Sequence, residues 1–308
     1  MSKPDSASCR ARIEGIDHVP VASVCALLTC FNRREQTVAG LQRLRLSADS
    51  AGLAVHAVLV DDGSTDGTAT AVRAQFDWVT VLAGRDLYWN RGMRMAMEHA
   101  LKQRSEAHLL WLNDDTLLDD DALQRLLATR RTVISQTGAE PIIVGCTRDA
   151  RTGTFTYGGN RRGKGLHRFR FSDLHDPVRP MACDTMNGNV VLLPRAIVDQ
   201  VGLLDPSFEH ALGDLDYGLR AVAAGVPVYT SPGFVGTCNR NPVQGTFQDR
   251  SLGVRKKLRL MLHRKGLPWR SWYVFTRRHG GRAWPFFFIW PYFHVLTSCV
   301  SSRRANVP

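Results

Sequence analysis

The feature that most constrains the fold is an alternation of short apolar runs with segments of helical spacing. Apolar runs that suit buried strands lie at residues 21–29, 55–60, 78–82 and 108–112. Helical patterns follow the first three runs at residues 36–46, 68–75 and 91–103. Parallel strands need crossover connections, which are usually helices. The pattern therefore predicts a Rossmann-like α/β domain, with a mostly parallel sheet flanked by helices.

Polar clusters directly follow three of these runs, at residues 29–33, 61–66 and 113–116. Ligands of open α/β sheets bind beyond the carboxyl ends of the strands, so the three clusters are expected to meet at one edge. Residues 61–66 could form only a turn, because Asp, Gly and Ser are common turn residues. Alternatively, a carboxylate in this cluster could accept hydrogen bonds from a nucleobase.

Asn113, Asp114 and Asp115 form the most distinctive cluster. Mg²⁺ and Mn²⁺ prefer oxygen ligands, and one or two carboxylates often hold them together with substrate phosphates. The simpler interpretation is that one of the acids caps a helix predicted at residues 119–127, since acidic residues suit helix N-termini. The first interpretation implies a divalent cation and a phosphorylated substrate.

The positive charge of the chain is concentrated near its C-terminus. The 308 residues carry a net charge of +12, and residues 239–308 hold 14 Lys and Arg against one acid. The aromatic run 283–296 is shorter than the roughly 20 residues that span a bilayer and is interrupted by Pro285 and Pro291. We predict that this basic, aromatic extension binds an anionic membrane surface, with packing on the catalytic domain as the alternative. Nucleic-acid binding is disfavoured, because no reading module accompanies the charge.

Cysteine usage and the N-terminal segment indicate a cytoplasmic protein. The seven cysteines show no Cys-x-x-Cys spacing, which argues against a zinc site or a disulfide framework. Residues 1–19 have no apolar core segment and are expected to be a disordered lead rather than a signal peptide. We assign residues 20–245 to a catalytic domain and 246–308 to the helical, basic extension. Within the domain, the Gly- and Arg-rich residues 160–170 are expected to form a mobile loop.

Six motifs in fixed order resemble those of family 2 glycosyltransferases of the GT-A fold, of the rhamnosyltransferase-like type that builds bacterial surface polysaccharides. They are the stretches 29–33 (TCFNR), 60–66 (VDDGSTD), 90–92 (NRG), 113–115 (NDD), 186–208 (from MNGN to GLLDPSF) and 213–220 (GDLDYGLR). Each motif is weak alone, but their order and spacing make the combination specific.

The resemblance implies residues that bind the nucleotide-sugar donor. Thr29 and Asp62, with Asp61 beside them, would contact the uracil or thymine. The other donor-side residues would be Asn32, Arg33, Asn90, Arg91, Asn113 and Asp114. An exposed position at a helix start, without donor contact, is the alternative for Arg91.

The resemblance also implies a metal site and a general base. Asp115, with Asp114 beside it, would bind Mg²⁺ or Mn²⁺ as the end of the family's Asp-x-Asp motif, in which Asn113 replaces the first acid. Asp214 would be the base, although Gly213 stands where the family usually has Glu. Trp89 and Asp216 would have acceptor-side or supporting roles. Cys238 falls where many relatives carry a histidine near the metal, but a soft thiol suits Mg²⁺ and Mn²⁺ poorly.

The implied reaction is an inverting, metal-dependent transfer of a sugar from a UDP- or dTDP-sugar to a glycan or lipid-linked acceptor at the inner face of the cell membrane. Two other classes stay open. A sugar nucleotidyltransferase also binds a metal and a nucleotide, but residues 29–33 lack the Gly- and basic-rich phosphate loop expected after its first strand. A catalytically silent glycan- or membrane-binding scaffold could retain the fold without the activity.

Overall fold

A computed structural model describes residues 23–249 and 251–297, so the expected lead at 1–19 lies outside the described residues. The strands are β1 (Ser23–Cys30), β2 (Ala54–Asp61), β3 (Val79–Ala83), β4 (His108–Leu112), β5 (Leu117–Leu118), β6 (Ile142–Val144), β7 (Thr147–Arg148), β8 (Phe155–Tyr157), β9 (Gly159–Arg162), β10 (Phe171–Leu174), β11 (Thr185–Met186), β12 (Val190–Pro194), β13 (Val228–Thr230) and β14 (Gly236–Thr237). The helices are α1 (Arg34–Ser50), α2 (Thr68–Gln75), α3 (Tyr88–Gln103), α4 (Ala122–Thr137), α5 (Arg195–Val201), α6 (Gly213–Ala223), α7 (Val254–Leu262), α8 (Trp269–His279) and α9 (Trp284–Thr297).

The central sheet has seven strands in the order β13-β6-β12-β4-β1-β2-β3. Strands β4, β1, β2 and β3 are parallel, whereas β12 runs antiparallel to both β4 and β6. The predicted mostly parallel sheet is therefore confirmed. Cys30 pairs with Asp61 and Leu27 pairs with Trp111, so β1, β2 and β4 end side by side. The three polar clusters consequently meet at one edge, as the sequence predicted.

Each face of the sheet carries its own apolar core. On one face, Leu28 of β1 belongs to a buried cluster with Leu41 of α1 and Leu126 of α4. On the other face, Leu27 belongs to a cluster with Met97 of α3 and Tyr217 of α6. Because successive strand residues point to opposite faces and both faces are covered, the central strands are continuous apolar runs.

Helix α4 is longer than the sequence predicted, covering Ala122–Thr137 instead of residues 119–127. Its apolar side continues through Val133 and Ile134, which are buried. The helix ends at Gly138, whose φ of +68° lies in the left-handed region that favours glycine.

Within the expected loop, residues 160–162 belong to β9, which pairs antiparallel with β10, and residues 163–170 form the connection between the two strands. Phe169 of this connection packs edge-on against Trp272 of α8, with the ring centroids 5.3 Å apart. Arg162 donates a 2.5 Å hydrogen bond to the backbone carbonyl of His279 and lies over the Phe169 ring. These partners come from the extension, more than 100 residues away in sequence, and the mobility of the loop stays a prediction.

Helix α8 packs the extension against the catalytic domain. Trp272 and Phe275 are buried in a cluster with Phe208 and Leu219. Arg278 also forms ion pairs with two carboxylates of the domain, Asp205 at 2.6 Å and Asp216 at 2.7 Å. The packing interpretation therefore holds for this part of the extension.

Helix α9 contains both prolines that were expected to interrupt the aromatic run. Pro285 is tolerated in the first turn, where backbone N–H groups have no intrahelical partner. Pro291 removes the N–H that would bond to the carbonyl of Phe287, and the Trp272 indole N–H donates to that carbonyl instead, at 3.2 Å. Within residues 23–249 and 251–297, no helix combines the length and apolar character of a bilayer span.

Candidate active site

Two adjoining cavities open at the sheet edge where β1, β2 and β4 end. The strand-end cavity, of about 540 Å³, is lined by Thr29, Cys30, Phe31, Arg33, Asp62, Gly63, Gly84, Arg85, Asp86, Tyr88, Trp89, Asp114, His210 and Lys265. The carboxylate cavity, of about 380 Å³, is lined by Trp89, Asn113, Asp115, Tyr157, Asn187, Gly188, Asn189, His210, Ala211, Leu212, Asp214, Leu215, Cys238, Asn239, Asn241 and Lys265. Trp89, His210 and Lys265 line both cavities, so the two spaces meet at these side chains.

Asn32 joins the loop after β1 to the loop after β2. Its backbone N–H donates to Ser64 Oγ at 2.9 Å, and its Oδ1 accepts from the backbone N–H of Thr65 at 2.7 Å. Its φ of +51° lies in the left-handed region, which asparagine tolerates better than most residues. Asn32 lies beside the strand-end cavity rather than in its lining, so it shapes the rim through these two contacts.

Asp61 and Asp62 make different contacts although they are adjacent. Asp61 is buried, and its Oδ1 accepts from the backbone N–H of Ser64 at 2.9 Å, which closes the turn after β2. Asp62 lines the strand-end cavity, and its carboxylate accepts from the backbone N–H groups of Leu87 at 2.8 Å and Tyr88 at 2.9 Å. A carboxylate has about four lone-pair positions, so Asp62 retains capacity for a ligand N–H.

Asp114 and Asp115 share one cation, Arg33. Its Nη1 lies 3.1 Å from Asp114 Oδ1 and 2.7 Å from Asp115 Oδ2. Burial raises the pKa of Asp114 to about 7, an effect that Arg33 opposes and the neighbouring Asp115 charge reinforces. Asp114 Oδ2 is buried and has no hydrogen-bond partner within the described residues.

This donor set fits a divalent cation whose shell is completed by a substrate. Among residues 23–249 and 251–297, no three His, Cys, Asp or Glu side chains converge on a possible metal position. A closed protein cage is therefore not formed there. Asp115 nevertheless lines the carboxylate cavity, and the neighbouring Asp114 has a carboxylate oxygen without a partner. One or two carboxylates with phosphate oxygens are the usual ligands of protein-bound Mg²⁺.

Cys238 contacts the acidic pair as a neutral thiol. Its Sγ donates to Asp115 Oδ1 at 3.5 Å and accepts from Asn189 Nδ2 at 3.4 Å. Burial, with the Asp115 charge as a smaller contribution, raises the pKa of Cys238 to about 12. A soft sulfur ligand also suits Mg²⁺ and Mn²⁺ poorly, because these hard cations prefer oxygen ligands.

Asp214 lies in the first turn of α6 and lines the carboxylate cavity. Its Oδ2 accepts from the backbone N–H of Gly188 at 3.0 Å, and its Oδ1 accepts from the backbone N–H of Leu215 at 2.8 Å. Burial raises the pKa of Asp214, and these two backbone donors partly oppose the rise. A fixed carboxylate with a raised pKa has the properties of a general base.

The glycine before Asp214 has a packing reason. A Cβ added to Gly213 would collide with Oδ1 of Asn90, which is buried in α3. The Glu that relatives usually carry at this position therefore has no room while Asn90 stays in place. Asp214 is oriented by backbone N–H groups instead.

The motif at residues 90–92 contacts protein rather than the cavities. The Asn90 amide donates to two backbone carbonyls within residues 205–208, each at 2.8 Å, and Arg91 Nε donates to a third at 3.1 Å. Gly92 lets α3 approach β1, because a Cβ there would lie 2.6 Å from Thr29 Oγ1. Asn90 and Arg91 line neither cavity. The contacts of Asn90 and Arg91 within the protein hold the 205–208 segment, and their donor contacts stay a prediction.

Asp216 lines neither cavity, although it lies only two residues from the candidate base. It is 0% exposed and is paired with Arg220 at 2.8 Å, Arg278 at 2.7 Å and His279 at 2.8 Å. Of the two roles expected for it, the contacts favour the supporting one.

Sequence reasoning missed several cavity residues. Trp89 was expected at the site, and it donates from Nε1 to Asn113 Oδ1 at 2.8 Å, but His210 and Lys265 were not expected. Burial, with Lys265 and Arg33 as smaller contributions, lowers the pKa of His210 to about 4 and keeps it neutral. Of the amide side chains of the carboxylate cavity, Asn113 was expected, but Asn187, Asn189, Asn239 and Asn241 were not. They lie in loops, where no periodic pattern marks them.

A mostly parallel sheet, with acidic and amide side chains gathered at its carboxyl edge, defines a glycosyltransferase of the GT-A type. The model of the family described as "Glycosyltransferase like family 2" matches residues 22–260. The chain belongs to this family, which confirms the resemblance and makes the protein a glycosyltransferase.

Individual relatives are more distant. The chain is 32% identical over 109 residues to poly-beta-1,6-N-acetyl-D-glucosamine synthase of Staphylococcus epidermidis, a match covering 34% of this chain and a quarter (25%) of that protein. Its fold is similar to the mannosyltransferase PcManGT of Pyrobaculum calidifontis in complex with GDP-Man and Mn²⁺, with a TM-score of 0.53, 13% identity and coverage of 98% of this chain and 82% of that one. It is also similar to residues 1–349 of S. aureus TarS in complex with UDP, with a TM-score of 0.51, 12% identity and coverage of 85% and 72%.

Proposed function

We propose that this glycosyltransferase moves a sugar from a UDP- or dTDP-sugar to a glycan or lipid-linked acceptor, with inversion, in the assembly of bacterial cell-surface polysaccharide. The observation that carries the proposal is that Asp115 and Asp214 line one cavity, which joins the strand-end cavity at Trp89, His210 and Lys265. The nucleotide, the reacting sugar and the general base can then lie one after another along the two connected cavities.

The strand-end cavity is the candidate nucleotide site. Asp62 offers its remaining carboxylate lone pairs to a base N–H, beside Thr29 at the end of β1. UDP is bound by the TarS fragment and GDP-Man by the mannosyltransferase, so the choice of base in this chain is a proposal.

Asp214 is the proposed base. An acceptor hydroxyl gives its proton to the Asp214 carboxylate, its oxygen bonds to the anomeric carbon, and the bond from that carbon to the diphosphate oxygen breaks. A single displacement of this kind inverts the anomeric centre. The raised pKa of Asp214 supports the assignment, because a base works best with a pKa nearer the working pH.

Asp115 and Asp114 would hold Mg²⁺ or Mn²⁺ together with diphosphate oxygens. When bound, the cation neutralises charge that develops on the leaving diphosphate. The mannosyltransferase with a similar fold was solved with Mn²⁺, which supports a metal-dependent reaction.

The lining of the carboxylate cavity suits an uncharged carbohydrate. Side-chain amides can both donate to and accept from sugar hydroxyl groups. The cavity carries amides at Asn113, Asn187, Asn189, Asn239 and Asn241, with rings at Trp89 and Tyr157.

We also propose that the protein acts as a peripheral protein of the cytoplasm, at the inner face of the cell membrane. Phe286, Ile289, Trp290, Phe293 and Leu296 are exposed on α9 at spacings that place them on one helix face, the exposed apolar face. Arg270 lies over the exposed Trp269 ring, at 5.3 Å from its centroid, and Arg277 lies over Trp284. Cations beside exposed aromatic rings suit the surface of an anionic membrane.

Ligand-induced stabilisation tests donor and metal use. UDP, dTDP, GDP and CDP would be added with and without Mn²⁺, and the unfolding temperature measured, since a ligand of the native state must raise it. We expect stabilisation by UDP or dTDP that depends on Mn²⁺ and is lost in Asp115→Asn. Asp199→Asn, an exposed acid of α5, is the control. Stabilisation of Asp115→Asn equal to wild type would contradict the metal assignment.

Asp214→Asn tests the base separately. We expect it to bind the nucleotide as wild type does and to lose turnover by about 10²-fold or more, the usual scale for a lost general base. Release of UDP or dTDP from the donor in the presence of acceptor would be followed. Turnover close to that of Asp199→Asn would exclude Asp214 as the base.

A further inference from the structure

Lys265 brings a cation of the C-terminal extension to the junction of the two cavities. It lines the strand-end cavity together with Asp62 and the carboxylate cavity together with Asp214. In a nucleotide sugar, the diphosphate lies between the nucleoside and the sugar. If the nucleoside lies in the first cavity and the sugar in the second, the diphosphate must pass the junction where Lys265 stands.

The neighbouring Arg264 fixes the backbone that carries Lys265. Arg264 Nη1 lies 2.5 Å from Asp86 Oδ2, and its Nε lies 2.9 Å from Glu209 Oε2. Its guanidinium also lies over the Tyr88 ring, 5.2 Å from the centroid. These three contacts join the turn after α7 to the rim of the strand-end cavity. Lys265 is therefore held at the site by contacts that do not use its own ammonium group.

The charges around the junction call for such a cation. The nearby lining is acidic, and it includes Asp62, Asp86, Asp114, Asp115 and Asp214. Arg33 is already engaged by Asp114 and Asp115. The ammonium of Lys265 is exposed and has no ion-pair partner within residues 23–249 and 251–297. A diphosphate entering the junction would thus meet a cation that is free to bind it.

We propose that Lys265 binds the diphosphate of the donor, so that the extension completes the active site of the catalytic domain. This inference rests on the proposed function, because it takes the strand-end cavity as the nucleotide site. Hydrogen bonds between a cation and phosphate oxygens are among the stronger ones in proteins. The proposed role of Lys265 also gives the extension a part in donor binding that is separate from any contact with a membrane.

The test compares UDP with UMP, which has one phosphate fewer, by calorimetry on the full chain in the presence of Mn²⁺, with dTDP and dTMP measured in parallel. We expect Lys265→Gln to weaken binding of the nucleoside diphosphate by about 10- to 100-fold, because one charge-assisted hydrogen bond is lost. Binding of the monophosphate should weaken much less. Lys265→Arg should keep most of the affinity. Lys256→Gln, which removes an exposed cation of α7 outside both cavities, is the matched control. The unfolding temperature of each variant shows whether it is folded.

Four outcomes overturn the proposal. Equal loss of diphosphate affinity in Lys265→Gln and Lys256→Gln would mean a general effect of charge. Arg85 lines only the strand-end cavity, and a loss in Arg85→Gln without one in Lys265→Gln would assign the diphosphate to Arg85. Finally, wild-type protein that binds neither UDP nor dTDP would remove the proposed donor, and this inference with it. Normal wild-type binding that is unchanged in Lys265→Gln would remove this inference alone.

Discussion

Helices α8 and α9 are both aromatic, but they differ in charge and in what surrounds them: α8 carries Arg270, Arg277 and Arg278, whereas α9 has no Lys or Arg. Both are rich in aromatic residues, yet α8 buries Trp272 and Phe275, whereas α9 exposes Trp290 and Phe293. Helix α8 lies against Phe208 and the carboxylate of Asp216, which belong to the catalytic domain. Helix α9 contacts α8 with one side and leaves its exposed apolar face uncovered by the described residues.

The difference shows that aromatic and basic composition does not by itself identify a membrane anchor. Aromatic and basic residues form an intramolecular interface where apolar and acidic partners face them, as they do at α8. Only the helix without such partners is free to bind another surface. Predictions that separate the two helices therefore also separate folding from membrane binding.

The largest expected effect comes from truncating a buried ring of α8. Phe275→Ala should reduce the free energy of unfolding by about 3–5 kcal/mol, the usual cost of deleting a fully buried Phe side chain. Phe293→Ala of α9 is the matched control, because Phe293 is 53% exposed whereas Phe275 is 0% exposed. Denaturant unfolding of both variants gives the comparison. Equal losses would mean that the two helices contribute alike to the fold.

A smaller effect is expected from the ion pairs of α8. Asp216→Asn should lower the free energy of unfolding by about 1–3 kcal/mol, since a buried charged partner is lost but Arg220 and Arg278 can still reach water. Urea unfolding near neutral pH measures the loss, with Asp199→Asn as the control. A loss no greater than that of the control would show that the network does not stabilise the docked α8.

The ion pairs of Asp216 also predict that the stability of the protein depends on pH. Burial by itself raises the pKa of Asp216, but hydrogen bonds from His279 and Arg220 outweigh it and hold the pKa below its usual value. A carboxyl with a lowered folded-state pKa contributes stability above its unfolded pKa, about 3.9, and loses it as the pH falls through the folded value. Between about pH 5 and 3, wild type should therefore lose stability more steeply than Asp216→Asn. If urea unfolding gave the same dependence of unfolding free energy on pH for wild type and Asp216→Asn, this prediction would be contradicted.

The smallest effect on stability, but a clear one on membranes, is expected at the exposed apolar face. The double change Trp290→Ser and Phe293→Ser should alter the unfolding free energy by no more than about 0.5 kcal/mol, as for other surface changes. It should nevertheless reduce sedimentation with anionic vesicles at low salt, while nucleotide binding stays normal. Wild-type protein that does not sediment with such vesicles would exclude the membrane role of α9.

Much of the fold and part of the site could be predicted from local patterns. The strand at residues 108–112 and the helix at 68–75 were predicted with the bounds that the structure shows. Asp62, Asp115 and Asp214 were named as site residues from motifs, and the structure places all three in the lining of the two cavities. Their chemical roles stay predictions.

Other contacts depend on partners that are distant in sequence. Asn90 and Arg91 match a motif, and their side chains donate hydrogen bonds to backbone carbonyl groups of residues 205–208. The Gly- and Arg-rich segment at 160–170 contacts the extension through Arg162 and Phe169. In each case the contact is made with a neighbour more than 100 residues away in sequence, so no local pattern reveals it.

The sequence by itself determined the layered α/β fold and the edge at which chemistry occurs, because strand alternation and strand-end polarity are local properties of the chain. The tertiary structure decided which carboxylates face the cavities. Asp214 and Asp216 are two residues apart on one helix, so helical geometry already points them to different sides. Packing decides that the first side faces the cavity and the second faces Arg278. The tertiary structure likewise brought Lys265 to the cavities and left the exposed apolar face of α9 uncovered. Burial and pairing between distant segments set these outcomes, and no local pattern encodes them.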